Sequence, residues 1–516
     1  MYFDLVNTEL IIAALLLTAA LVAWITKVVR FPYTVGLVIV GVLITLFLPN
    51  KPELAPEMAR EVILLILLPP LVFEAALHIE FSEFRKNLLQ VIVFAVPGVL
   101  LTTGLVAGMM TIITGLPLGT MLVFGALISA TDPVAVTAIF RDLGLPKRLG
   151  LLMEGESLLN DATAIVVFGL ILEYVLHPTT FNLLQGFAEF LRVAGVGLVV
   201  GLVLGYVAYR LIRQIDDYLV ETVLSAVLAY GAYLLAEQVH ASGVLAVVTA
   251  GLMVGNRGRR YGMSHTTRNV LINIWEFLAF LANSCVFLLI GLQVDLAKLA
   301  DYRWVIMAAI TVVLLARSIS ILGLSPVLNR FSRNRVSRAW QVIMVWGGLR
   351  GGIALALALT LPSALYGHNA VIAMTFGVVL FTMCGQATTL PLVLRRLGLL
   401  RRAEHRVEYE RVRARLAAAR AAERHVDTQF QQGLLTRENY DVIVPVLHDE
   451  IEKHSSAVRE TLTVMPDIQD DQLEAAHREV LQAKRDTLRA LRHDGMISTD
   501  VFRELATEID SELTAD

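Results

Sequence analysis

Residues 127–136 read LISATDPVAV, and these ten positions decide the fold. They lie in the middle of an apolar run, 117–140, long enough to cross a hydrocarbon core about 30 Å thick, which takes roughly 20 helical residues. Pro133 has no amide N–H, and its ring collides with the carbonyl of Ser129 four residues back. It also drives Asp132 out of helical dihedrals, so the helix is expected to break at Asp132. Unwound backbone at such depth is tolerated only where protein buries it or a wet cavity borders it, and the carbonyls it frees are cation ligands. A packed proline kink accounts for Pro133 but leaves the carboxylate beside it unexplained.

The rest of the chain makes the bilayer its solvent. Of 516 residues, 56% are hydrophobic and 17% charged, with a mean hydropathy of +0.66. No soluble chain of this length carries that composition without burying its whole surface. The charge is uneven: residues 1–400 hold 26 Lys and Arg and 22 Asp and Glu, whereas 401–516 hold 17 and 24. Two different solvents are implied. The composition excludes a soluble enzyme with a single anchor and a nucleic-acid binder. Cys285 and Cys384, both inside apolar runs, exclude a secreted disulfide scaffold.

Apolar stretches of bilayer length lie near 8–29, 34–48, 60–79, 90–113, 117–140, 150–176, 189–214, 218–239, 242–255, 271–293, 303–328, 340–361 and 369–394. That gives thirteen spans. Clusters such as Arg85/Lys86, Arg141/Lys147/Arg148 and Arg395/Arg396/Arg401/Arg402 follow odd-numbered spans. Only Lys51, Arg60, Lys298 and Arg303 follow even-numbered ones. Short Lys- and Arg-bearing loops stay cytoplasmic, so the N-terminus is expected outside and the tail in the cytoplasm. No A-x-A-like cleavage site follows the first span, which is expected to be retained.

Ionisable groups deep in a span cost at least a few kcal/mol each and are read as functional. Glu74, Asp132, Glu154, Glu156, Asp161, Arg317 and Arg350 all sit inside the spans. Glu74, Glu154 and Glu276 lie where a carboxylate can snorkel to water; Asp132, Asp161, Arg317 and Arg350 are too deep for that. In WGGLRGG (346–352) four glycines surround Arg350, and each weakens a helix interior by roughly 1 kcal/mol. Tight helix packing is the simpler account of the glycines, yet Arg350 also supplies the positive charge that a broken helix end needs. The fifth and twelfth spans correspond when spans 1–6 are paired with 8–13, making one half the inverted image of the other. Interrupted helices in corresponding positions point to a transporter's central site.

On the sixth span, Glu154, Ser157 and Asp161 share one helical face, while Glu156 and Asn160 occupy the adjoining one. The first face is expected to present oxygens to a cavity. The second offers a Glu/Asn pair to a cation such as Arg317, whose buried donors need acceptors.

These residues resemble the monovalent cation:proton antiporters of the sodium/proton exchanger type, the family of bacterial NhaP proteins, animal NHE exchangers and plant sodium exporters. ATDPVAV (130–136), EGESLLNDATAIVVF (154–168) and WGGLRGGIALALAL (346–359) stand in that family's order, with weaker support from LLPPLVFEAAL (67–77). The likeness covers roughly residues 10–395. It implies an all-α polytopic membrane protein of the NhaA-like fold, an inverted repeat with two crossed interrupted helices, plus a cytoplasmic helical tail at 401–516. It further implies Asp161 as the proton-and-cation exchange carboxylate, with Asp132, Ser157 and Thr131 completing a Na+ shell and Glu74 reaching the ion through water. Glu156, Asn160 and Arg317 match the family's stabilising ion-pair cluster, and Arg350 its arginine at the second chain break. The family is homodimeric, and the Asn160-Asp161 pair implies electroneutral exchange of one proton per cation. Ala162 departs from the glycine that many members carry after the aspartate.

No cofactor is implied, because exchange needs only competition between a proton and Na+ for one buried charge; Li+ and K+ are the alternative cations. A cation channel would use the same carboxylates in a continuous pore. A membrane enzyme lacks its signature here, since Ser157 has no histidine at any span's centre and no cluster has metal spacing. The tail reads as helices at 404–431, 437–464, 471–493 and 498–513, with solvated histidines rather than a pH sensor as the simpler reading.

Overall fold

The computed structural model describes residues 2–29, 32–47, 62–177, 183–258 and 265–464, apart from 216, 294–295 and 333, together with part of 480–508. Among the described residues the regular structure is helical throughout. They fall into two compact units, Met1–Leu400 and Arg401–Asp516.

In the first unit, helix occupies each of the thirteen apolar segments. Eight described helices are long and apolar enough to cross a membrane, and Ala13–Val29, Tyr33–Phe47, Val62–His78 and Gly243–Asn256 are shorter apolar helices. Two segments are interrupted. Leu118–Ser129 stops, residues 130–133 leave the helix, and Val134–Asp142 resumes it. Likewise Arg338–Trp346 gives way at residues 347–351 before Gly352–Leu359.

Proline explains two further departures from uniform spans. The segment expected at 90–113 is one candidate span, Leu88–Thr114, stepped at Val96 between Leu88–Ala95 and Pro97–Thr114 because Pro97 cannot donate to the preceding turn. In the third segment, Pro69 and Pro70 occupy the first turn of Leu68–His78, and the chain before them, Val62–Leu67, winds as a wider π-helix.

Two groups of helices surround the breaks. Pro97–Thr114 packs on Leu118–Ser129 and on Arg303–Phe331, and Lys147–Leu176 packs on Leu118–Ser129 and Leu88–Ala95. The other group joins Tyr33–Phe47, Leu68–His78, Leu183–Ile212, Tyr218–Gln238, Gly243–Met253 and His265–Gln293. Its centre holds Trp275, tilted against Phe73 with ring centroids 4.5 Å apart and donating through its indole N–H to Ser225 at 2.9 Å. Leu184, Leu191 and Leu202 on Leu183–Ile212 are exposed, as leucines facing lipid are.

The second unit contains the helix Arg437–Val464 and most of Leu399–Gln431. Phe430 stacks on Tyr440 at 4.3 Å, and the Tyr440 hydroxyl donates to Asp427 at 2.8 Å, which pushes the phenol above its ordinary range. The expected helices 471–493 and 498–513 lie largely outside the described residues.

Candidate functional site

The two interruptions touch. The backbone N–H of Asp132 in the first donates to the carbonyl of Leu349 in the second at 2.8 Å. A helix that stops leaves carbonyls without partners and a partial negative charge at its end. Arg350, 1% exposed, meets that charge on Leu118–Ser129 by donating to the Ser129 and Ala130 carbonyls at 2.7 and 3.1 Å. Arg317 serves the other break: its Nη2 donates to the Met344 carbonyl at 3.1 Å, near the end of Arg338–Trp346. Each interrupted helix thus has its leading half closed by an arginine from elsewhere in the chain, Arg350 from the second break and Arg317 from Arg303–Phe331.

The glycine run makes this crossing sterically feasible. A Cβ at Gly348 would stand 2.9 Å from Nε of Arg317, and one at Gly351 would overlap the Asp132 side chain. Crowding of this kind costs about 1–3 kcal/mol. Gly351→Ala is therefore expected to lower the thermal unfolding temperature in detergent and to depress transport at the same time. An alanine variant with wild-type melting and transport would show that the crossing has slack.

Lys147–Leu176 presents its polar faces to the first break. Glu156 binds both Nη atoms of Arg317, with Nη2–Oε2 at 3.0 Å. Asn160 does not bind Arg317, contrary to the expectation from sequence. Its amide nitrogen donates to the Thr131 hydroxyl at 2.6 Å, and its oxygen accepts the Thr131 backbone N–H at 3.2 Å. The carbonyl that the guanidinium needs comes from Met344 instead. Ser157 donates to the Thr131 carbonyl, so all three polar groups of Thr131 are fixed by one helix.

Glu74, Thr131, Asp132, Ser157 and Asp161 line one cavity of about 120 Å³, with Glu154 at its wall. Asp132 and Asp161 are half-buried there. The Asp132 carboxylate also caps Val134–Asp142 by accepting the Val134 N–H at 2.9 Å. Glu156, Asn160, Arg317 and Arg350 are buried beside the cavity and do not line it. The arrangement separates two tasks: Glu156 and Asn160 are engaged in holding the breaks, while Asp161 and Ser157 on the adjoining face meet the cavity.

Several partners have no sequence signature. The carbonyls of Leu349 and Met344 are backbone atoms, and Thr382, whose hydroxyl accepts the Arg350 N–H at 3.1 Å, sits in an ordinary apolar run. His78 bridges Glu74 at 3.1 Å and Glu276 at 3.3 Å, and Arg141 lies 3.5 Å from Glu154. The i, i+4 spacing of Glu74 and His78 was a usable signal for the first of these contacts.

Residues 16–396 match the sequence model of the family described as sodium/hydrogen exchanger, transmembrane. The chain belongs to the sodium/hydrogen exchanger family. It is 38% identical over 419 residues to the Na(+)/H(+) antiporter ApNhaP of Aphanothece halophytica, covering 81% of this chain and 80% of that one. To the Na(+)/H(+) antiporter NhaG of Bacillus atrophaeus it is 35% identical, over 94% of this chain and 93% of the relative. Its fold is that of the sodium proton antiporter MjNhaP1 from Methanocaldococcus jannaschii, solved at pH 8, with a TM-score of 0.64 at 23% identity over 76% of this chain and 99% of that one. Family membership and the apolar helices make it a multi-pass membrane protein.

Proposed function

We propose that this member of the family exchanges one Na+ for one H+ across a cell membrane by alternating access, electroneutrally. The observation that carries the reading is the cavity at the crossing of the two chain breaks, where Asp132 and Asp161 line one space. The relatives described above are Na(+)/H(+) antiporters, which favours Na+ over K+.

In this reading Asp161 is the exchange carboxylate. Asp132, Ser157 and the Thr131 oxygens complete the Na+ shell, and Glu74 reaches the ion through water. Hard oxygen donors suit a small hard cation. A bare carboxylate is expensive in a low-dielectric passage, more so beside a second one. Na+ and H+ each remove that charge, and either one displaces the other. Only the neutralised site crosses between the two faces of the membrane, so the two fluxes are coupled. Asn160 carries no charge and is occupied with Thr131, which supports a single exchanged proton.

The two groups of helices supply parts for a relative movement, one carrying the breaks and the other packing beside them. The same reading includes thirteen spans in an inverted repeat, an external N-terminus, residues 1–400 as the transport domain and 401–516 as a cytoplasmic helical domain. A homodimer in the plasma membrane rests on the family resemblance.

The competition gives a pH test. In proteoliposomes containing a pH-sensitive dye, the half-saturating Na+ concentration should rise about tenfold for each unit of acidification once protons occupy the site, as one-for-one linkage requires. Half-saturation that ignores pH throughout counts against a shared site.

A further inference from the structure

Gln386 is 1% exposed, and neither its amide nitrogen nor its amide oxygen has a hydrogen-bond partner within the protein. It ends the π-helical turn Thr382–Gln386, whose first residue already holds the Arg350 N–H. Wider turns of this kind recur at functional positions in helices. Two other buried donors beside it are unpartnered: Nε of Arg317 and Nε of Arg350. All three residues line a second cavity, distinct from the one holding the aspartates, with Gly348 also in its wall.

That cavity measures about 10 Å³, and a bound water needs about that much room and two to four polar partners. An unsatisfied buried donor or acceptor costs about 1–3 kcal/mol, more when charged, so orphaned groups converging on one such space call for a ligand. Size and charge select its kind. Arg317 is already neutralised by Glu156, and a space of about 10 Å³ takes nothing larger than a water molecule, which leaves out the common anions. The guanidinium N–H donors repel a cation. A neutral molecule of water's size remains, with two lone pairs for the two Nε–H groups and a hydrogen for the Gln386 oxygen.

We propose that the cavity between Arg317, Arg350 and Gln386 binds one water molecule, and that Gln386 acts through it as a positioning residue for Arg350 at the second chain break. Arg317 and Arg350 close the leading halves of both interrupted helices. The water ties the two guanidinium groups to each other and to the Thr382–Gln386 turn. Without the amide, Arg350 is free to shift on the Ser129 and Ala130 carbonyls, which adjoin the Thr131–Asp132 pair of the ion cavity, and the balance between Na+ and H+ moves with it. The water site stands on geometry alone; the effect on exchange rests on the function proposed above.

Two measurements test this. A structure of the full-length wild-type protein at a resolution that orders water should show one peak within hydrogen-bond distance of both Nε atoms and the Gln386 oxygen. An empty cavity with the Gln386 amide turned directly onto an arginine overturns the site, as does an anomalous bromide peak in the same place. In proteoliposomes, Gln386→Met should shift the half-saturating Na+ concentration by about tenfold, the equivalent of one broken hydrogen bond to a charged group, and displace the pH profile with it. A well-folded Gln386→Met protein with unchanged half-saturation and pH profile overturns the positioning role. Should that variant fail to fold, the wild-type water peak still decides the site. A water peak in a wild-type protein that exchanges no ions upholds the site and refutes the proposed function.

Discussion

Reconstituted Asp161→Asn protein is expected to produce no sodium-dependent dequenching of an internal pH dye above that of empty liposomes. The amide has nearly the carboxylate's shape, so the helix Lys147–Leu176 and the cavity wall stay in place. What disappears is the titratable charge. A neutral side chain at position 161 has no proton to release when Na+ enters and no charge for Na+ to neutralise, so coupling is lost rather than weakened. Because the breaks are held by Glu156 on Arg317 and Asn160 on Thr131, which the substitution leaves in place, and because the new amide oxygen can still accept from the Thr131 backbone, yield and unfolding temperature should remain those of the wild type. Sodium-dependent dequenching in this variant would mean that another carboxylate carries the proton.

Arg317→Ala should act in the opposite way, on stability first. Its removal strands the Glu156 carboxylate, 2% exposed, and frees the Met344 carbonyl. Breaking a buried pair from one side typically costs about 3–5 kcal/mol because the remaining charge has no partner. Thermal unfolding in detergent should drop by many degrees. Replacing both members with apolar residues of similar volume, Arg317→Met with Glu156→Leu, should recover most of the loss, since the double change leaves no stranded charge. If the single alanine variant melts with the wild type, the pair is not what holds Arg338–Trp346 at the second break.

The sequence exposed those parts of the site that a side chain announces. Pro133 beside Asp132 marked the first break because a proline ring excludes helical dihedrals before it, and the glycines around Arg350 marked the second. The pairing of Glu156 with Arg317 followed from a buried charge needing its opposite. The partner of Asn160 did not follow: an amide on a helical face bonds whatever the neighbouring helix turns towards it, and the Thr131 backbone became available only once the first break had unwound. The Leu349 and Met344 carbonyls were illegible for a related reason, since every residue carries one and only tertiary crossing chooses between them. Gln386 and Thr382 stayed hidden because a polar residue in an apolar span reads as helix packing until its unsatisfied atoms are located. The run around Pro97 is one span, as its apolar length suggested, with the proline adding only a local step at Val96.

The most direct test is to follow labelled Na+ uptake and internal pH together in the same proteoliposomes, with membrane voltage clamped at several values. One proton should leave for each Na+ that enters, at a rate that voltage does not change. Na+ accumulating while the interior stays at constant pH would contradict the account at its root.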